Sequence, residues 1–258
     1  MKAALIQADI IWEEAGRNRI QLEKKINTIA LDVDLIVLPE MFTTGFSMHP
    51  EAIAETMEGD SVSWLKKVAK SRNTAITGSL VIKEDNNFYN RLVFVFPSGE
   101  MEYYDKRHLF SLAGEDELYS AGARKKIVEY KGWKICLLIC YDLRFPVFAR
   151  NTEDYDLLLY VANWPTARIT AWDILLKARA IENMCYTIGV NRVGKDGNDH
   201  SYPGHSQVVD FIGNALLEPF EGETVFTATL DKLEMLEMRK KLGFLADRDS
   251  FQIKDLKE

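Results

Sequence analysis

Four apolar runs constrain this chain more than any other feature: DLIVLPE (34–40), TAITGSLVI (74–82), KICLLIC (134–140) and DLLLYVANWP (156–165). Each is short, rich in aliphatic or β-branched residues and bounded by charged or turn-forming ones, the pattern of a buried strand rather than of a helix. Further strands are expected at Lys2 to Ala8, in NFYNRLVFVF and GEMEYYDKRHLF around the turn Pro97-Ser98-Gly99, and in KKIVEY before the turn Lys131-Gly132. CYTIGVNRV reads as another strand, followed by the turn GKDGN, and HSQVVDFIGNALLE and ETVFTATL alternate like paired strands joined by Ile212-Gly213-Asn214. Helical spacing covers Arg17 to Leu31 (Ile20, Leu22, Ile26, Ile29, Ala30), Ser61 to Arg72 (Val62, Leu65, Val68, Ala69), Ile169 to Asn183 and a charged amphipathic segment, Asp231 to Leu242. Strands outnumber helices by about two to one, and the helices interrupt groups of strands rather than following every strand. The expected fold is therefore a layered α/β (α+β) one, a two-sheet sandwich covered by helices rather than an open doubly wound sheet.

No linker, low-complexity tract or internal repeat divides the chain, so residues 1–258 are expected to form one domain. Its apolar content of 47% fills a core of that size. A formal charge of −7 disfavours phosphate backbones and anionic surfaces, so neither nucleic acid nor membrane is expected as a partner. The apolar start MKAALIQADI is short and broken by Asp9, which fits a first strand better than a signal peptide or membrane span. The three cysteines, an odd number, point to reduced thiols and a cytoplasmic location. None forms a C-x-x-C pair and the four histidines (49, 108, 200, 205) are scattered, so no metal is expected.

Three strand ends carry chemistry. Glu40 follows the run Leu35 to Pro39, Lys106 closes the run through Tyr103 and Tyr104, and Cys140 closes Ile135 to Ile139. A carboxylate, an ammonium and a thiol are the parts needed to hydrolyse an amide or nitrile through a covalent thioester or thioimidate. Glu40 would take the thiol proton and later activate water, while Lys106 and the backbone N–H of Tyr141 would stabilise the oxyanion. Taken singly, each has a plainer reading: a Glu after a strand is commonly a solvated turn or capping residue, and Lys106 within DKRH a surface charge. Cys136, on the same strand face as Cys140 but inside the strand, and Cys185 read as core.

The combination of segments decides between these readings. LIVLPEMF, YDKRHLF and ICYDLRFP resemble, in order, the signature segments of the nitrilase superfamily, the carbon-nitrogen hydrolases with a Glu-Lys-Cys triad. The resemblance runs from ALIQADI to VVDFIGN and is closest to the ω-amidase branch, YafV-like enzymes included, through DYDLLLYVANWP, KARAIENMCY and GVNRVGKDGN. It implies Glu40 as general base, Lys106 as oxyanion lysine and Cys140 as nucleophile. GEDELYSAG resembles the stretch carrying a supporting glutamate; the spacing to Gly122 selects Glu115, with Asp116 or Glu117 as alternatives. The implied fold is a four-layer α-β-β-α sandwich, and the implied assembly at least a homodimer paired through a helical layer.

The expected function is thus a thiol amidohydrolase for small α-keto acid ω-amides such as 2-oxoglutaramate and 2-oxosuccinamate, releasing the keto diacid and ammonia without a cofactor. Arg168 in NWPTAR is the candidate donor for the substrate carboxylate, Trp164 and Phe42 the candidate walls, and Arg144 a brace for the turn after Cys140 through a carboxylate. Another amidase, a nitrilase, a carbamoylase or a non-catalytic protein on the same fold are the alternatives. GVNRVGKD (189–196) matches a phosphate loop up to its last position, where Asp196 replaces the required Ser or Thr and no helix pattern follows. It is read as strand and turn.

Overall fold

The computed structural model describes residues 1–253; the last five positions of the expected 1–258 domain lie outside them. In chain order the first sheet takes strands β1 (Lys2–Gln7), β2 (Leu35–Val37), β3 (Ala75–Glu84), β4 (Asn87–Val95) and β5 (Met101–Asp105). The second takes β6 (Lys126–Tyr130), β7 (Trp133–Ile139), β8 (Leu157–Ala162) and β9 (Tyr186–Asn191); β10 (Val193–Lys195) and β11 (Ser201–Pro203) form a separate hairpin; β12 (Gln207–Val209) and β13 (Ala215–Leu217) rejoin the second sheet. β14 (Thr224–Thr229) returns to the first.

The orders are β14-β1-β2-β3-β4-β5 and β13-β12-β9-β8-β7-β6. Each sheet has a parallel trio (β1-β2-β3; β7-β8-β9), an antiparallel strand on one side (β14; β6) and two more on the other (β4-β5; β12-β13). The sheets thus repeat one plan, in which β2 and β8 occupy the same central place.

Period-two alternation sorts the side chains. Leu35 and Val37 pack between the sheets with Ile135 and Leu137, whereas Ile36 and Leu38 face Leu22 and Ile26 of the helix Ala15–Ile26 and Leu65 and Val68 of the helix Asp60–Arg72. The outer face of the second sheet is covered by the helix Ile169–Asn183, which buries Trp172 and Leu176, while the helix Lys232–Leu242 buries Met235 and lies against the N-terminal ends of β8 and β9, where Arg239 donates to the carbonyls of Tyr155 (2.6 Å) and Met184 (2.7 Å). Gly189 on β9 permits that approach: a Cβ there would stand 2.5 Å from Leu176 and 2.8 Å from Trp172. Helix, sheet, sheet, helix is the expected layering. Burial of each such aliphatic side chain stabilises the fold by roughly 1.5–3 kcal/mol.

Two expectations are corrected. The first helix spans Ala15–Ile26 and not Arg17 to Leu31, because the chain turns after Asn27 to enter β2 and leaves Leu31 exposed. The turn at 212–214 does join paired strands, β12 and β13, but ETVFTATL pairs with β1 in the opposite sheet, so alternation identified the strand and not its neighbour. GVNRVGKD forms the end of β9 and β10, and Asp196 shapes the hairpin turn by accepting from the backbone N–H of Asn198 (2.8 Å) and His200 (3.0 Å). Among the described residues no helix is long and apolar enough to cross a membrane.

Candidate active site

The ends of β2, β5 and β7 converge at one mouth of the sandwich. Glu40, three residues past β2, and Lys106, the first past β5, are buried to 0% and 1% exposure, so neither is the solvated surface charge that its position alone suggests. Lys106 Nζ lies 2.9 and 2.8 Å from the two carboxylate oxygens of Glu115 and 3.2 Å from Glu40 Oε1. Glu115 is buried, whereas Asp116 and Glu117 are exposed, so of the three acidic neighbours Glu115 alone meets the ammonium. Its Oε2 also accepts from the Phe110 N–H at 2.6 Å.

Glu40 is held at both oxygens. Oε1 accepts from Asn90 Nδ2 at 2.8 Å, and Oε2 from the backbone N–H of Asn163 at 2.7 Å.

Cys140 opens the 3₁₀ turn Cys140–Arg144 directly after β7, with φ +42°, a left-handed conformation that costs an ordinary residue about 1–2 kcal/mol. Asp142, fully buried, holds this turn in place. Its Oδ2 accepts from the Ile139 N–H (2.9 Å) and the Tyr104 hydroxyl (2.8 Å), and its Oδ1 accepts from the His108 N–H (3.1 Å) and lies 2.7 Å from His108 Nδ1. His108, two residues past Lys106, stacks on Phe145 with ring centroids 3.7 Å apart. The thiol strand and the lysine strand are therefore tied to each other. Tyr141 lies in the first turn, where a helix leaves its N–H groups without internal partners.

Electrostatics follow from the count of charges. Two carboxylates, Glu40 and Glu115, share one ammonium, Lys106, in a buried cluster, so Lys106, Glu115 and the neighbouring Cys140 resist losing protons. Burial alone would lower the Lys106 pKa, but Glu115 and Glu40 outweigh it and raise it. Glu115 is pushed up by burial and by Glu40 against the pull of Lys106. The Cys140 thiol is raised well above the ordinary cysteine range, by burial first and then by the negative charge of Glu40. At neutral pH it rests as the thiol.

Above these groups lies a cavity of about 370 Å³ that reaches Cys140, Lys106 and Asn163. Tyr141, Trp164 and Arg168 line it. Phe42 does not. It is fully buried on the helix side of the first sheet, 5.9 Å from the Trp64 ring, because the chain turns sharply from Met41 (φ +43°) onward. Phe46 takes the wall position, its ring 5.2 Å from Lys106 Nζ. Arg144 is also placed differently: it makes no ion pair among the described residues and lines the cavity, its guanidinium 5.0 Å above the Trp164 ring. The brace for the turn comes from buried Arg179 in KARAIENMCY, which donates to the Leu143 carbonyl at 2.6 Å. The Arg168 guanidinium, likewise without an ion pair among the described residues, sits 4.9 Å from the Phe110 ring.

Sequence reading missed Asn90, Asp142, Arg179 and the use of Asn163. Asn90 carried a faint signal, as an amide at the start of the apolar part of its strand, beside Arg91.

The family model for carbon-nitrogen hydrolase matches residues 2–240. The chain is 42% identical over 255 residues to the omega-amidase YafV of Escherichia coli (strain K12), covering 98% of each, and 34% identical over 247 residues to the 2-oxoglutaramate amidase of Bacillus subtilis (strain 168), covering 94% of this chain and 95% of that one. Its fold matches, with a TM-score of 0.96 and 43% identity over 98% of this chain and 99% of the other, XC1258 from Xanthomonas campestris, a CN-hydrolase superfamily protein with an arsenic adduct in its active site. This chain belongs to the carbon-nitrogen hydrolase family and is one of its amide-hydrolysing enzymes.

Proposed function

We propose that the enzyme is a thiol-dependent ω-amidase that cleaves the terminal amide of small α-keto acid ω-amides, 2-oxoglutaramate and 2-oxosuccinamate, through a thioester on Cys140. The observation that carries the reading is one cavity lined by Cys140 and Lys106, with Glu40 bonded to Lys106, and two guanidiniums, Arg144 and Arg168, without carboxylate partners among the described residues. A neutral substrate has no use for two such cations, whereas a carboxylate a few carbons from the amide does. The names of the relatives, omega-amidase and 2-oxoglutaramate amidase, point the same way.

In this mechanism Glu40 accepts the Cys140 proton as sulfur attacks the amide carbon, and the carbonyl π pair moves to oxygen, where Lys106 and the Tyr141 N–H meet it. Glu115 keeps Lys106 charged and aimed. The tetrahedral intermediate collapses as Glu40 returns the proton to nitrogen, so ammonia leaves and the acyl group stays on sulfur. Glu40 then deprotonates a water that attacks the thioester, the thiolate departs and recovers a proton, and the keto diacid is released. A resting thiol beside its base suits this sequence, since the proton taken from sulfur is the one delivered to nitrogen.

The reading includes a cytoplasmic homodimer. Exposed Ile174 and Ile181 on the second sheet's helix, with Ile212 and Leu216 beside them, form an apolar surface suited to a second copy, and all three cysteines are free. Sedimentation of the wild type and of Ile181→Glu tests the pairing, a monomeric wild type refuting it. The substrate is tested by ammonia release across ω-amides of keto acids, neutral amides and nitriles; a wild type that prefers nitriles or neutral amides overturns the ω-amidase reading.

A further inference from the structure

The two oxygens of Glu40 are held from different sides, and the difference distinguishes the two ends of an amide. Oε1 faces Lys106 Nζ and Asn90 Nδ2; Oε2 faces Asn163, whose backbone nitrogen stands at 2.7 Å and whose Nδ2 at 3.4 Å. The carbonyl oxygen, which gains negative charge, belongs on the Lys106 side. The amide nitrogen then falls on the Asn163 side.

Asn163 is 5% exposed and forms part of the cavity wall. The orientation of its amide is decided by contact: one terminal atom lies 2.7 Å from the backbone carbonyl oxygen of Glu40, which only a donor tolerates, so that atom is Nδ2 and the other is the acceptor Oδ1. Oδ1 is buried, and no group among the described residues donates to it. Buried acceptors in native proteins are normally paired, so an unpaired one on a residue that lines a cavity points to a donor on the ligand.

We propose that Asn163 recognises the scissile nitrogen: Oδ1 accepts an N–H of the substrate's primary carboxamide, while the backbone N–H and Nδ2 keep Glu40 Oε2 facing the same nitrogen, the atom to which Glu40 returns its proton. The proposal rests on the reading of Glu40 as the base. Esters and nitriles bring no N–H to this point, so Asn163 is a determinant of amide over ester and nitrile.

The test compares 2-oxoglutaramate with its ω-methyl ester, which forms the same thioester. In Asn163→Ala the amide-to-ester ratio of kcat/KM is expected to fall about tenfold, the size of one hydrogen bond. Misplacing Glu40 would also slow its activation of water against the thioester that both substrates share, so an unchanged ratio, or a ratio that falls only together with the deacylation rate of that thioester, overturns the proposal. If the wild type does not hydrolyse 2-oxoglutaramate, the ω-amidase reading fails by itself, and the same ratio is read on butyramide and methyl butyrate. Asn163→Ser repeats the measurement if Asn163→Ala does not fold; failure of both to fold assigns Asn163 to the structure and overturns the proposal.

Discussion

Glu40 and Asn163 follow the corresponding central strands of the two sheets, and the carboxylate of the first accepts the backbone N–H of the second at 2.7 Å across 123 positions of sequence. The general base of the proposed mechanism is therefore positioned by both halves of the sandwich at once. Movement of one sheet relative to the other would shift Glu40 against Cys140, which leaves β7 beside β8.

Thiol reactivity follows from burial and charge. Cys136 and Cys185 are fully buried, the latter's pKa pushed up to about 12, while Cys140 reaches the cavity. Iodoacetamide is expected to label Cys140 first and to abolish activity in step, as peptide mapping would show. The raised pKa of Cys140 sets the sign of the pH dependence: an ordinary thiol's labelling rate levels off above about pH 8.5, and that of Cys140 is expected to keep climbing there. A plateau near pH 8 refutes the raised value.

Removing a charged group of the cluster is expected to remove turnover without removing the fold. Glu40→Gln and Lys106→Met should each lower kcat by a factor on the order of 10² or more, and the double variant by little beyond the larger single loss, because both act in the same steps. Near-normal kcat in either folded variant rejects its role. Glu115→Gln is expected to lower kcat less, by about 10-fold, since Glu40 still faces the ammonium.

The arginine pair is read out by substrate charge. Arg168→Ala and Arg144→Ala should each reduce kcat/KM for 2-oxoglutaramate by about 1.5–3 kcal/mol of transition-state binding, the scale of a hydrogen bond to a charged group. A neutral amide of equal length should be affected much less. Equal losses on both substrates would make the arginines structural.

Asp142→Ala strips the partner from the N–H groups of Ile139 and His108 and from the Tyr104 hydroxyl. Buried donors left unpaired cost about 1–3 kcal/mol each, so urea denaturation is expected to show a loss of about 3 kcal/mol or more, and Asp142→Asn, which keeps one acceptor oxygen, a smaller loss. A loss below about 1 kcal/mol for the alanine variant would show that the turn at Cys140 holds itself.

What the sequence determined by itself is local. Apolar runs such as Leu35 to Val37 and Ile135 to Ile139 read as strands, helical spacing marks Ser61 to Arg72 and Ile169 to Asn183, and Glu40, Lys106 and Cys140 stand out as polar groups where buried strands end, in segments that resemble one family. The partners of those groups were decided by tertiary structure. That ETVFTATL pairs with β1, that Phe42 falls away from the cavity and Phe46 into it, that Arg179 and not Arg144 braces the turn, and that Asn90, Asp142 and Asn163 complete the site all depend on contacts between residues far apart in the chain. Periodicity reports which face of an element is buried, a property of a few neighbouring residues. Which polar atom meets which in the interior is set by the packing of two sheets on each other, and a buried carboxylate or amide is stable only where that packing brings it a partner.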